Sequence, residues 1–552
     1  VAAMGAAAGV AVGSKVGHAG VEDDLAAVGD ASSATAATIR RDACWKYRTD
    51  AATFNKNIAL PDHATNGDEA LYASKIGNYS KGMPHNRYGE VDSYAWSTFK
   101  AALDSGSPTA FENIVLGGGR PFVNPQSGLA FDMEGTDSHA FATLLPPPTL
   151  SSSEAAAEMV ELYWAALLRD VNFDDYANSD LAAAAAADLS KFSTADFKGP
   201  RDSNGKVTAQ TLFRDPFPGQ TVGPYVSQFM LLPTPFGVQI VNNQNRTFLP
   251  DTDHMTSYSE WLTVQNGGVL GSNQYDPQRR YIRNARDIAA WVQNDVLFQA
   301  YFDAALILIT PPNASDGQTG GFGAPLNPGN PYANSRTQAG FGTFGPPGIL
   351  GLMCEMATRA LKTTWYQKWY VHRRLRPEAF GGLVHVQRTK NRWPGVLHPS
   401  ILNAPVLDQV YSKFGTYLHP QAFPEGSPTH PSFTAGHATV AGASVTVLKA
   451  MFDETAVIKN PIQITPDGLS LVPYSGPELT IGGELNKLAS NIATGRNNAG
   501  VHWRSDTYQS LLLGERLAIS ILRDQRAGYN EIREGFYKGQ TFTKFDGTQV
   551  TV

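Results

Sequence analysis

The 552-residue chain has only two cysteines, Cys44 and Cys354. Two thiols cannot build a disulfide framework; Cys354 lies in an apolar stretch and reads as a small core residue, while Cys44, in a polar segment, is free to bridge chains in an oxidising compartment. No apolar run approaches the ~20 residues of a membrane span. Charge is scarce, at 17% of residues, with a net value of -6 and a pI near 6.1. No basic excess marks a general nucleic-acid binder. The low charged fraction is compatible with surface buried between subunits. Hydrophobic residues make up 42%, enough for a packed core and too many for wholesale disorder.

Internal repeats and an alternating βαβ pattern are also missing, so the chain reads as mostly α. The Ala- and Gly-rich opening, Val1 to Gly20, has no initiator Met. It reads as an arm over residues 1–45, with the remnant of a targeting segment as the alternative; the true N-terminus is expected upstream. The Asn-X-Ser/Thr triplets at Asn78, Asn245 and Asn313 are short enough to arise by chance. An N-terminal helical half is expected over 46–347. It includes a helix over Ser153–Val171 capped by Ser152 or Ser153 with Glu154 in its first turn, and an alanine-dominated helix over Leu181–Leu189. Prolines break Lys198–Asp253 into loop with short strands. An amphipathic helical stretch follows over Pro277–Leu308, then a long Gly, Pro and Asn loop over Pro311–Pro347. A C-terminal half from 348 to 552 resumes helical patterning at Gly348–Arg376, Ala435–Phe452, Gly482–Thr494 and Asp506–Gln525.

Three segments of that half carry chemistry. In Lys368-Trp-Tyr-Val-His-Arg-Arg-Leu-Arg376-Pro377, Lys368 sits late in a predicted helix that Pro377 forbids to continue. Eight helical residues rise about 12 Å, within reach of two long cationic side chains meeting one anion; a solvated basic face is the bland alternative. In His430-Pro-Ser-Phe-Thr-Ala-Gly-His437, small residues open a helix whose first amides and dipole suit an anion. His437 in its first turn is placed for acid–base work, with a structural histidine as the alternative. In Gly495-Arg496-Asn-Asn-Ala-Gly-Val-His502-Trp-Arg-Ser-Asp506, Arg496 offers a fork of donors for a tetrahedral oxyanion. His502 and Asp506, four apart, share a face if helical, so that Asp506 selects which imidazole nitrogen meets the ligand. Together the segments suit phosphate or its near-isostere vanadate.

These residues resemble the vanadium haloperoxidase and acid phosphatase superfamily: Lys368, Arg376-Pro377, Gly436-His437, Arg496, His502 and Asp506 fall on its pattern. Longer stretches are similar to the bromoperoxidase branch of red algae and cyanobacteria, among them Arg373-Arg-Leu-Arg-Pro-Glu-Ala, Ala499-Gly-Val-His-Trp-Arg-Ser-Asp and, upstream, Asn124-Pro-Gln-Ser-Gly-Leu-Ala-Phe-Asp. The likeness runs over nearly the whole chain beyond residue 40. It implies an all-α fold of two four-helix bundles with long irregular loops and little β. It further implies vanadate bound through His502, with Lys368, Arg376, Arg496 and the Gly436 amide on its oxygens, His437 and His430 assisting proton, peroxide or halide handling, and Asp506 behind His502. The implied reaction is Lewis-acid activation of hydrogen peroxide toward bromide, with chloride or iodide as further halides, and transfer of the oxidised halogen to small organic acceptors. Some relatives hold a structural calcium. A large homo-oligomer is implied, up to a dodecamer. The compartment stays open among secretion, cell wall and periplasm.

Two positions depart from the pattern. The family usually has Ser where this chain has Ala435, and often where it has Gly495; a hydroxyl on a charged oxo group contributes on the order of 1.5–3 kcal/mol, so vanadate binding is expected to differ. Trp365, one turn before Lys368, is expected at the halide pocket, with a core tryptophan as the alternative. Two other functions compete: a phosphomonoesterase using His502 as nucleophile and His437 as general acid, and an oligomeric shell or anion-binding protein without catalysis. His430 and the long algal-type matches favour the haloperoxidase.

Overall fold

The computed structural model describes residues 33–133, 135–312 and 321–552. The arm up to residue 32 and the triplet at Asn313 lie outside them. The fold is all-α. Its helices of eight or more residues are α1 Ser33–Asn57, α2 Ser93–Ser105, α3 Ser153–Leu167, α4 Asp180–Leu189, α5 Tyr258–Gln265, α6 Ala285–Asn294, α7 Gln299–Ile309, α8 Pro346–Tyr366, α9 Pro377–Lys390, α10 Pro405–Phe414, α11 Gly436–Met451, α12 Ile481–Asn498 and α13 Arg504–Gly528. Among the described residues three antiparallel hairpins supply the strands: β1 Thr234–Phe236 with β2 Gln239–Val241, β3 Ile462–Ile464 with β4 Leu471–Pro473, and β5 Thr541–Thr543 with β6 Gln549–Thr551. Among the described residues no helix is long and apolar enough to cross a membrane.

Local signals explain the helix starts. Ser152 caps α3, accepting from the Ala155 amide at 3.1 Å, and Asn284 caps α6 by accepting from Asp287 at 2.9 Å; each satisfies an amide that the helix itself leaves unpaired. Pro346 and Pro347 open α8, where a missing N–H costs nothing.

The framework of the C-terminal part is a four-helix bundle in which α11 lies at the centre, against α8, α12 and α13. Every residue of α11 except His437 is buried, which a helix of Ala, Gly, Val, Thr and Ser permits because its small side chains allow neighbours close on every side. Gly442 and Gly514 mark the closest approach: a methyl on Gly442 would overlap the Leu511 carbonyl, and one on Gly514 the Thr439 carbonyl. This crossing joins the start of α11 to the first turns of α13. One apolar core extends from Ile76 to Val552.

Three expectations need correction. The stretch Pro277–Leu308 is two helices, α6 and α7, because Asp295 leaves the helical region with ψ 148°. The segment Gly348–Arg376 does not run as one helix: α8 ends at Tyr366, a single π-helical turn covers Gln367–His372, and Arg373 takes a left-handed φ of 42°. Cys354 is half-buried at the edge of the core, while Cys44 is exposed on α1. α1 runs unbroken through residue 45.

Candidate active site

The π turn has a direct consequence for Lys368. Wider turns of this kind displace side chains from helical register and recur at functional sites. Here the chain turns sharply at Arg373, closed by its amide on the Lys368 carbonyl at 3.0 Å, and Arg376 becomes the residue capping α9. The bend, rather than a 12 Å helical rise, separates the two cations, so both point into one pocket. Lys368 Nζ donates to the carbonyls of Pro431 and Ser432, each at 2.8 Å. Arg376 donates through Nε to the His430 carbonyl at 3.0 Å and through Nη1 to the Val501 carbonyl at 2.6 Å.

Arg376 also touches both histidines flanking it: Nη2 lies 2.9 Å from His430 Nδ1, and Nη1 lies 3.0 Å from His502 Nε2. Arg496, near the end of α12, donates Nη1 to the Val292 carbonyl at 2.6 Å, while its buried Nε has no partner.

His502 and Asp506 are not on one helix. α13 begins at Arg504 with Trp503 as its capping residue, so His502 precedes the helix. Asp506, third residue of the helix, reaches back in capping fashion: its Oδ2 accepts from the Trp503 amide at 3.2 Å and faces His502 Nδ1 at 3.0 Å. The expected contact therefore forms, through a cap instead of a helix face. With Nδ1–H donating to the carboxylate, Nε2 carries the lone pair. Asp506 is itself held by Arg374 at 2.7 Å and by the Ser432 hydroxyl, and Arg374 pairs with buried Glu158 at 2.9 Å.

α11 begins at Gly436 behind Ala435, whose side chain provides no cap. The amides of its first turn thus stand without side-chain partners beside the cations, with Ala435 tied to Ser510 Oγ at 2.8 Å through its own amide. His437, in that turn, contacts Asp295 Oδ1 through Nε2 at 3.1 Å and retains 19% side-chain exposure, making it the site residue nearest solvent. The Trp365 ring packs 4.9 Å from His430 and 5.7 Å from Lys368 Nζ, and a methyl on Gly436 would meet it at 3.2 Å. It borders the pocket.

The electrostatics are unusual for a protein interior. Lys81, Arg374 and Arg504 are buried and paired, with Glu378, with Glu158 and Asp506, and with Glu161 and Asp215. Lys368, Arg376 and Arg496 are equally buried, yet among the described residues none forms an ion pair. Burial, then repulsion from Arg376 and Arg496, pushes Lys368 well below its ordinary pKa. Burial brings Arg376 and Arg496 each down to about 10. Burial and the three cations depress His502 well below the usual histidine value. Unpaired buried cations are costly, and a multiply charged tetrahedral oxyanion among free amides removes that cost. The donor set fits vanadate: cations and amides for the oxygens, and one neutral imidazole lone pair for the metal. Among the described residues no group of three or more His, Cys, Asp or Glu side chains is arranged to hold a metal ion, so the calcium expectation finds no such ligand set there.

All ten residues expected at the site, Trp365, Lys368, Arg376, His430, Ala435, Gly436, His437, Arg496, His502 and Asp506, gather around this pocket. Sequence reasoning missed Asp295, Arg374 and Ser432. Asp295 lies within the stretch read as continuous helix; Arg374 lies inside the first segment but is indistinguishable there from a surface arginine.

Comparison with known proteins bears on the family and the fold. Residues 352–529 match the family model described as the VCPO second helical-bundle domain. The chain is 34% identical to the vanadium-dependent bromoperoxidase of Corallina pilulifera, covering 93% of this chain and 98% of that protein. It is 36% identical to the vanadium-dependent bromoperoxidase of Ascophyllum nodosum, over 87% of this chain and 86% of that one. The homohexameric structure of the second vanadate-dependent bromoperoxidase of Ascophyllum nodosum superimposes with a TM-score of 0.86 at 32% identity, covering 93% and 90% of the two chains. With likeness this extensive, and with a site built for a caged oxyanion, the chain belongs to the vanadium-dependent bromoperoxidases.

Proposed function

We propose that this enzyme oxidises bromide with hydrogen peroxide at a vanadate bound by His502, releasing hypobromous acid that halogenates small organic acceptors; chloride and iodide fall within the same chemistry. One observation carries the reading: the Asp506-oriented His502 inside a cage of three buried cations without carboxylate partners.

When bound, vanadate supplies a Lewis acid that activates peroxide for attack by halide at constant metal oxidation state. The protein's part follows from the contacts. Asp506 keeps the Nδ1 proton of His502, presenting Nε2 to the metal. Lys368, Arg376, Arg496 and the Gly436 amide bind the oxygens, with Ala435 packing alongside, and their charge stabilises the anion without a proton. Asp295 accepts from His437 Nε2, which leaves Nδ1 to take and return a proton as peroxide binds. Burial, then Asp295 with its opposing pull, sets the balance at His437, and its pKa comes out below the ordinary value, so the imidazole is neutral and ready to accept. His430, fixed by Arg376 and Trp365, tunes peroxide or halide handling, and the Trp365 ring forms one wall of the halide pocket.

A division near residue 347 belongs to this reading and is supported by the family match that begins at residue 352; the division at residue 45 has no such support, since α1 crosses it without a break. A homo-oligomeric state belongs to this reading too, supported by the homohexameric relative, with a dodecamer as the larger alternative; sedimentation velocity distinguishes them.

The test is peroxide-dependent bromination of a dye by metal-stripped protein with and without orthovanadate. Activity only with vanadate is expected. No bromination, together with hydrolysis of a phosphate ester, would replace this function by the phosphomonoesterase.

A further inference from the structure

A second concave site adjoins the first. A cleft of about 210 Å³ is lined by Arg246, Tyr275, Trp291, Asn294 and Asp295, among others. Its link to the active site is a single hydrogen bond: Asp295, in its wall, accepts from His437 Nε2 at 3.1 Å, and His437 is the partly exposed member of the vanadate pocket. The cleft is thus one hydrogen bond away from the most exposed residue of the pocket.

The lining has a definite chemical character. Arg246 is exposed and sits over Tyr275, its guanidinium carbon 3.6 Å from the ring centroid; a contact of this kind holds the guanidinium in place and leaves N–H donors for an oxyanion. Among the described residues Arg246 forms no ion pair. Trp291 and Tyr275, both partly exposed, present aromatic surface. The side chain of Asp295 is 4% exposed, with Oδ1 committed to His437 and Oδ2 buried without a hydrogen-bond partner among the described residues; since Asp295 lines the cleft, a donor hydroxyl bound there would answer that unmet need. The space suits one ring with a short arm, well below the size of a drug-like ligand.

We propose that this cleft is the acceptor subsite of the enzyme and takes a hydroxylated aromatic carboxylate, its acid group on Arg246, its ring against Trp291 and Tyr275, and its hydroxyl on Asp295 Oδ2. The assignment rests on the bromoperoxidase reading. In the transfer step a ring carbon ortho to the hydroxyl takes bromine from hypobromous acid: the C–Br bond forms, the O–Br bond breaks, and the displaced ring proton leaves with the hydroxide as water. Binding in the cleft places the ring where hypobromous acid is released, ahead of its dilution.

The experiment uses 4-hydroxyphenylacetate as probe and its neutral methyl ester as control. Equilibrium dialysis against the vanadate-loaded wild type and Arg246→Gln should show binding of the acid at least tenfold weaker in the variant and ester binding unchanged. Bromination kinetics should show the same loss as a raised KM for the acid alone. Oxygen release from peroxide and bromide without any acceptor should be equal in both proteins. Equal binding of the acid by both, or no binding by the wild type, would overturn the subsite while leaving the bromoperoxidase intact. Binding that depends on Arg246 without any bromide-dependent oxygen release would retain the cleft and reject the bromoperoxidase.

Discussion

Asp506 accepts hydrogen bonds from four groups, His502, Trp503, Ser432 and Arg374, and so ties the imidazole, the start of α13 and the loop before α11 to one carboxylate. Partners of this kind orient a metal-bound histidine, and their loss typically lowers affinity 10- to 100-fold. Asp506→Asn should weaken vanadate binding by roughly that factor, read by titrating orthovanadate into metal-stripped protein calorimetrically; unchanged affinity would show that Asp506 serves only the helix cap. Ala435 is the complementary case. It stands at the capping position of α11 with a methyl, where the family resemblance leads one to expect a hydroxyl. Ala435→Ser should tighten vanadate, since a hydrogen bond to a charged oxygen contributes about 1.5–3 kcal/mol. The same titration checks it, and an unaltered constant would mean that the first-turn amides already saturate the oxyanion.

At the scale of elements, the site depends on how closely α11 and α13 cross. The amides beside Gly436 and the Asp506–Ser510 turn stand on opposite sides of that crossing, joined by the Ala435–Ser510 hydrogen bond. A methyl at Gly514 must push α13 away from the Thr439 carbonyl. Overpacking in a filled core costs about 1–3 kcal/mol, so Gly514→Ala should lower stability by about that amount in urea unfolding and weaken vanadate binding as well. A variant with wild-type stability would show that the crossing has slack.

Across the whole molecule, further neutral histidines are buried besides those of the vanadate pocket. His419 stands between the Leu162 carbonyl at 3.0 Å and the Gln421 side-chain nitrogen at 2.7 Å, an arrangement that suits only the uncharged ring. Burial lowers its pKa to about 4, does the same for His85, and takes His372 down to about 3. Each binds a proton more readily once unfolded, near the ordinary value of about 6.5. Between the two values the unfolded chain carries more protons, so stability rises with pH. It is full above about 6.5 and is lost as pH falls toward the folded-state values. The urea midpoint should fall steadily from pH 7 to 4, less steeply in His419→Gln. A flat profile in the wild type would mean that these rings gain protons without unfolding.

What was legible in the sequence was local or compositional. Helical spacing with little strand pattern specified an all-α chain, small residues around Gly436 marked a helix start able to meet an anion, and the order of Lys368, Arg376, His437, Arg496, His502 and Asp506 identified the chemistry. The tertiary structure alone decided the rest. It broke the helix at Gln367–Arg373, so that Lys368 and Arg376 converge, and placed His502 before α13, so that Asp506 reaches it by capping. It brought Asp295 from a helix break to His437, and Arg374 from within the Lys368–Pro377 segment to Asp506. Above all it left three buried cations without an ion pair among the described residues. Whether a cation is paired depends on what folds next to it from distant parts of the chain, and no local pattern contains that information.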